Sequence, residues 1–313
     1  MLEILWQQDW RVILVEPWTE AADISVWTVA MGLLVGTACG WVGTFLVLRR
    51  MALTGDAISH GVLPGLVAAF LLAGSRDIGV MMVGAVVAAL VTMLAIHWIE
   101  RTSPIKADAA MVVVFTTLFA FGIVLITAFA GQVDLDTECV LYGEIGFEWT
   151  YPAWTFGGLN LGPEPVARMG LVTLVVGAVL GLFYRHWMVT AFDPVLALCL
   201  GIKSQRWHRI FLVLVALVVV ASFEAVGVIL VVAMLIFPAA TGLLLFQRLP
   251  SILALVPVLA LAYALGGYHL ALWLDCSVAG AMSVVAFLIF GSILLGKQIR
   301  RFFSMRTPPL AQP

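Results

Sequence analysis

Long, uninterrupted apolar runs separated by short polar clusters repeat along almost the whole chain. A bilayer core of about 30 Å needs about 20 apolar residues per helix, so each run predicts a membrane-crossing helix. The runs fall at 26–48, 53–73, 78–99, 109–130, 169–189, 208–223, 226–246, 250–272 and 277–296. That makes nine spans. The sixth and seventh are the least separated, because only Ser222-Phe223-Glu224 interrupts a single apolar stretch. One hairpin or one broken helix fits that stretch, so a count of eight is also consistent. A membrane β-barrel would alternate polar and apolar residues in segments of roughly ten. These Leu-, Val- and Ala-rich runs do not alternate, and the expected fold class is all-α, a polytopic transmembrane helical bundle.

Composition closes off the other classes. Of 313 residues, 63% are hydrophobic and 11% charged, against about 45–50% and about 25% in a soluble domain. A net charge of −2 gives no basic footprint for nucleic acid. The cysteines at 39, 139, 199 and 276 stand singly, so no Cys-x-x-Cys metal or redox motif is present. Gly291 to Gln298 approaches a phosphate-binding loop but lacks the closing Ser or Thr. No soluble segment is long enough to hold ATP.

Charge sets the orientation. Arg49, Arg50, Arg101, Lys106, Arg185, Lys203, Arg206, Arg209, Arg248, Lys297, Arg300, Arg301 and Arg306 fall on one side of a nine-span layout. Only Arg11, Arg76 and Arg168 fall on the other. The positive-inside rule then predicts an external N-terminus and a cytoplasmic C-terminus. The expected organisation is an external interfacial segment at 1–25, marked by Trp6, Trp10 and Trp18, a transmembrane domain at 26–296, and a cytoplasmic tail at 297–313. The segment 1–25 lacks the basic start and long apolar stretch of a cleavable signal. Between spans, 131–168 is an acidic external loop and 190–207 a cytoplasmic one. Gly32, Gly36 and Gly40 recur every fourth residue, with Gly43 nearby, which predicts close backbone packing on the first span.

Ionisable residues at bilayer depth are costly and mark function. Asp56 and His60 are four residues apart, so they share one helix face. At 1.5 Å rise per residue, His60 lies about 15 Å beyond Arg50, near the midplane. Pro64, four residues further, removes the N–H that would bond the His60 carbonyl. A carboxylate and an imidazole suit Zn²⁺, Mn²⁺ or Fe²⁺. The same spacing fits a plain Asp–His hydrogen bond between helices, or a proton relay. Glu224 and Pro238 form a second polar interruption. There, Glu224 lines a pathway or sits wet at an interfacial turn.

Four stretches together resemble the membrane permeases of bacterial zinc/manganese/iron ABC importers. These are Arg49–Gly65, with its Gly-Asp-Ala-Ile-Ser-His core; Val133–Ile145; Ala191–Gly201; and Phe223–Thr241, with its Phe-Pro-Ala-Ala-Thr core. The resemblance covers most of 26–296. It implies a bacterial inner-membrane, multi-pass permease that catalyses no bond chemistry and carries a divalent metal (Mn, Zn or Fe) with no permanently bound cofactor. Its implied partners are a cytoplasmic ATPase dimer, a second permease copy or paralogue, and an external metal-binding protein. It also implies that Asp56 and His60 contribute to the metal pathway or its gate, with Pro64, Glu224 and Pro238 as further lining. Phe192, Asp193, Pro194, Ala197 and Gly201 would dock on the ATPase. Val195 stands where the family's usual Glu would be, and Trp149–Arg168 is longer than in the shortest relatives. The reading from a different class is a proton-coupled secondary metal transporter acting without an ATPase, with Asp56 and His60 as its relay.

From the residues alone, Asp193-Pro194 reads as a helix start, with Asp as N-cap and Pro in the first turn. Gly201 can end that short helix through a left-handed cap.

Overall fold

The computed structural model of the chain describes residues 10–51, 53–74, 78–129, 145–156 and 159–306. Two short helices, α1 (Trp10–Leu14) and α2 (Glu16–Thr19), precede the first long one, α3 (Ala22–Leu48). Then come α4 (Thr54–Gly61), α5 (Leu63–Ala73), α6 (Ile78–Thr102) and α7 (Ala107–Phe129). A two-stranded antiparallel hairpin, β1 (Ala153–Phe156) and β2 (Leu159–Pro163), leads into α8 (Glu164–Leu182). The chain continues through α9 (Tyr184–Phe192), α10 (Pro194–Cys199), α11 (Ser204–Leu245), α12 (Leu249–Leu274) and α13 (Val278–Arg306). Among the described residues, eight helical stretches are long and apolar enough to cross a membrane, with α4 and α5 counted as one. The architecture is an all-α polytopic bundle.

Two boundaries differ from expectation. The fifth span begins at Glu164 and ends at Leu182, so Arg168 lies inside it and Arg185 belongs to the separate helix α9. Pro163 in extended geometry stops the hairpin, and Pro165 in the first turn starts the helix there. The tail expected at 297–313 is helical as far as Arg306, as an extension of α13. Nearly all of the stretch 133–145, the first part (131–144) of the loop 131–168, Trp6 and the end of the tail lie outside the described residues.

The sixth and seventh expected spans form one 42-residue element, α11, broken at Gly227 (φ 77°, ψ 168°). A straight helix of that length would reach about 63 Å, twice a bilayer core. Its contacts show that it is not straight. Ser222 lies against Cys39, with Oγ to Sγ at 3.4 Å, while the Leu235 carbonyl lies where a Cβ on Gly43 would sit. Thirteen residues of straight helix would separate Ser222 from Leu235 by about 20 Å, yet Cys39 and Gly43 are only about 6 Å apart along α3. The two arms, 204–226 and 228–245, therefore lie along the same part of α3.

The central helix is α3. Its glycine stripe works as the spacing predicts: positions 32, 36 and 40 face Ala264, Ala260 and Val256 of α12, in reverse order. The core is buried around this contact, with Met31, Val35, Val42, Phe45, Val231, Met234, Tyr263 and Met282 all inaccessible. At one end of the bundle α1 and α2 are tied to α12, through His269 Nδ1 to the Ile13 carbonyl (3.0 Å) and the Trp18 indole N–H to His269 Nε2 (3.4 Å).

Candidate metal pathway and the α10 cap

The chain leaves α3 through a hydrogen-bonded turn. Met51 N donates to the Leu46 carbonyl (2.9 Å), and Arg50 adopts a left-handed conformation (φ 59°). This is the bonding of a Schellman cap, with Arg where Gly is usual. Thr54 N then donates to the Met51 carbonyl (3.1 Å), and α4 begins at once.

On α4, His60 Nε2 lies 3.3 Å from Asp56 Oδ1. The His60 ring is stacked on Phe115 (centroids 5.6 Å apart, 25° between planes) and meets Phe119 edge-on at 5.2 Å. Both phenyl groups belong to α7, so they fix the imidazole from one side. Gly61 abuts Thr92 of α6. These contacts place His60 beside the middle of α6 and α7. The His60 and Asp56 side chains remain 24% and 30% exposed, so the pair reaches the surface of the bundle at depth. Among the described residues, no group of three or more His, Cys, Asp or Glu is gathered to hold a metal. Among the described residues this pair is thus two side chains and not a closed metal cage.

Helical bonding is loosened just after the pair. Gly65 N and Leu66 N both donate to the Val62 carbonyl, and Pro64 has no N–H to give. Pro64, with Gly61 and Gly65, lines an apolar groove of about 500 Å³ walled by Val83, Val87 and Phe121. Pro238 is buried against Gly40. Glu224 is ion-paired: its Oε1 accepts from Arg168 Nη2 at 3.1 Å. That pairing joins residues 56 positions apart and has no local signal in the sequence.

The loop after α9 has the capping geometry read from the sequence. Asp193 Oδ1 accepts from Val195 N (3.0 Å) and Leu196 N (2.9 Å). Gly201 is left-handed (φ 75°), and Ile202 N closes onto the Ala197 carbonyl (2.9 Å). Ala197 is fully buried, whereas Val195, Leu198, Leu200 and Phe192 are each at least 60% exposed. The result is a short, rigidly capped helix with an outward apolar face.

Beneath it lies a cluster not anticipated from the sequence. The Arg49 Nη2 donates to Thr190 Oγ1 (3.0 Å), Nη1 lies 3.4 Å from His208 Nδ1, and the guanidinium sits 4.5 Å over the Phe211 ring. Trp187, fully buried, meets both Trp207 and Phe211. Burial pulls the Arg49 group down to about 10, so it stays charged at neutral pH. Charge counting marks Arg49 only as a topological signal, whereas the fold uses it as a hub.

These features define a multi-pass helical bundle with apolar spans. Residues 21–296 match the ABC 3 transport family. The chain is 40% identical over 274 residues to the manganese transport system membrane protein MntD of Bacillus subtilis (strain 168), covering 87% of this chain and 92% of that one. It is 36% identical over 271 residues to the zinc transport system membrane protein TroD of Treponema pallidum (strain Nichols), covering 85% and 72%. The solved structure of PsaBC from Streptococcus pneumoniae in complex with Fab superposes with a TM-score of 0.71 at 29% identity, over 85% of this chain and 89% of that one. The chain belongs to the ABC 3 transport family and is a multi-pass protein of the bacterial inner membrane.

Proposed function

We propose that this chain is the membrane subunit of an ATP-powered importer for a divalent transition metal. Mn²⁺ and Zn²⁺ are the cargoes named for its relatives, and Fe²⁺ accepts the same ligands. The observation that carries the reading is the Asp56–His60 pair, a quarter to a third exposed within an apolar helix bundle in a chain whose relatives move metals. The two side chains of this pair alone are too few to strip a hydrated ion. A second permease copy or paralogue facing the first would double them, and water or a freed carbonyl would complete the shell. Affinity stays modest, since a pathway site must also release its ion. An external binding protein delivers the metal, and two cytoplasmic ATPase subunits dock on α10 and drive alternating access. The arms of α11 cross separately, giving nine crossings with the N-terminus outside and the C-terminus in the cytoplasm.

The test is uptake of radiolabelled Mn²⁺ into proteoliposomes holding the permease, its ATPase and its binding protein. Asp56→Ala and His60→Ala should each abolish uptake while the complex still assembles. Near-normal uptake in both would reduce the pair to a helix–helix contact. An active permease that purifies and transports with no ATPase would favour the proton-coupled reading instead.

A further inference from the structure

We infer that Arg49 is the positioning residue through which movement at α10 reaches the Asp56–His60 helix. The inference rests on the docking and metal roles proposed above and adds the connection between them. Two other helices, α9 and α11, meet α3 on this one guanidinium. Thr190, three residues before the Asp193 cap of α10, accepts from Nη2; His208, in the first turns of α11, faces Nη1; and Phe211 lies under the cation. The third segment is α3, which ends at Arg49 itself.

The group has little freedom to tolerate a shift. Among the described residues no carboxylate lies within ion-pair distance of it, and its buried Nε has no partner. A half-buried cation with no carboxylate beside it depends on the neutral groups around it, because losing them leaves a partly desolvated charge. Moving α10 moves Thr190, so either Arg49 follows or it loses a bond. On its other side the connection is short and stiff. The Met51-to-Leu46 and Thr54-to-Met51 bonds close the turn, leaving little slack before Asp56. Arg49 thus lies between a docking helix exposed to a soluble partner and a ligand pair deep in the bundle.

The experiment uses the reconstituted complex with Mn²⁺ as cargo and reads Mn²⁺ uptake and ATP hydrolysis in parallel. For Arg49→Gln, the ATPase should copurify at wild-type stoichiometry and hydrolysis should stay within about twofold, while Mn²⁺ carried per ATP falls about tenfold. Thr190→Val, which removes one partner and keeps the shape, should lower the same ratio about threefold. Arg49→Lys, which keeps the charge but not the fork of donors, should fall between Gln and wild type. A merely structural arginine would lower uptake and hydrolysis in proportion, and that outcome overturns the inference. An unchanged ratio in Thr190→Val overturns it too, even if Arg49→Gln cannot be purified. Asp193→Lys and Asp56→Ala separate this failure from failure of the underlying reading. If the first loses its ATPase and the second loses uptake while Arg49→Gln stays coupled, only the role of Arg49 falls.

Discussion

Arg168 and Glu224 form an ion pair of 3.1 Å that ties α8 to α11, just ahead of the break at Gly227. Arg168 also touches Met82 Sδ on α6 at 4.0 Å, so three helices meet at one cation. Both side chains are a quarter to a third exposed, and solvent screening reduces what the pair contributes. Glu224→Gln and Arg168→Gln should each lower the apparent melting temperature of the purified permease. The double variant should lose less than the sum, with a coupling of about 1 kcal/mol. Strictly additive losses in the double-mutant cycle would show that the two groups are neighbours without energetic consequence.

Gly227 holds a backbone conformation (φ 77°, ψ 168°) that is essentially closed to residues with a Cβ. Gly227→Val should cost about 1–3 kcal/mol from that strain alone. Heating the detergent-solubilised protein and following its monodisperse fraction would show the loss. A variant as stable as the wild type would mean that the two arms can join in another geometry.

How far the fold was legible depended on range. The spans were legible because each declares itself in a run of apolar residues long enough for a bilayer. The cap at Asp193 and the left-handed stop at Gly201 were legible because both act within a few residues. Gly227 was not, since a glycine inside an apolar run carries no sign of the direction the chain takes next. Asp56 and His60 could be paired because they are one helical turn apart. The partners of Arg49, at Thr190 and His208, and the Arg168–Glu224 pair join positions far apart in sequence, and no local pattern specifies them.

The exposed face of α10 predicts a partner. Asp193→Lys removes the cap, worth about 1 kcal/mol, and places a cation at the positive end of the helix. Gly201→Trp has open space for its side chain but must adopt a positive φ. Both should insert normally, yet copurified ATPase and metal uptake should fall. Full association in both variants would mean that the ATPase binds elsewhere.

Orientation is open to chemical labelling. In a background with Cys139, Cys199 and Cys276 replaced, Ser103→Cys and Ser204→Cys should be shielded from impermeant thiol reagents in intact spheroplasts. Asn160→Cys should react. Labelling of position 204 from outside would invert the layout and take α10 away from any cytoplasmic ATPase.

The glycine stripe of α3 also constrains how the sequence can drift. A methyl added at 32, 36 or 40 runs into Ala264, Ala260 or Val256, so enlargement on one helix demands reduction on the other. Of these, only Val256 has a methyl pair to give up, and a library varying 40 and 256 together should recover Ala–Ala combinations that neither single change predicts. Position 43 offers no such exchange. Its nearest neighbours are the carbonyl, carbon and Cα of Leu235, and a backbone cannot be made smaller.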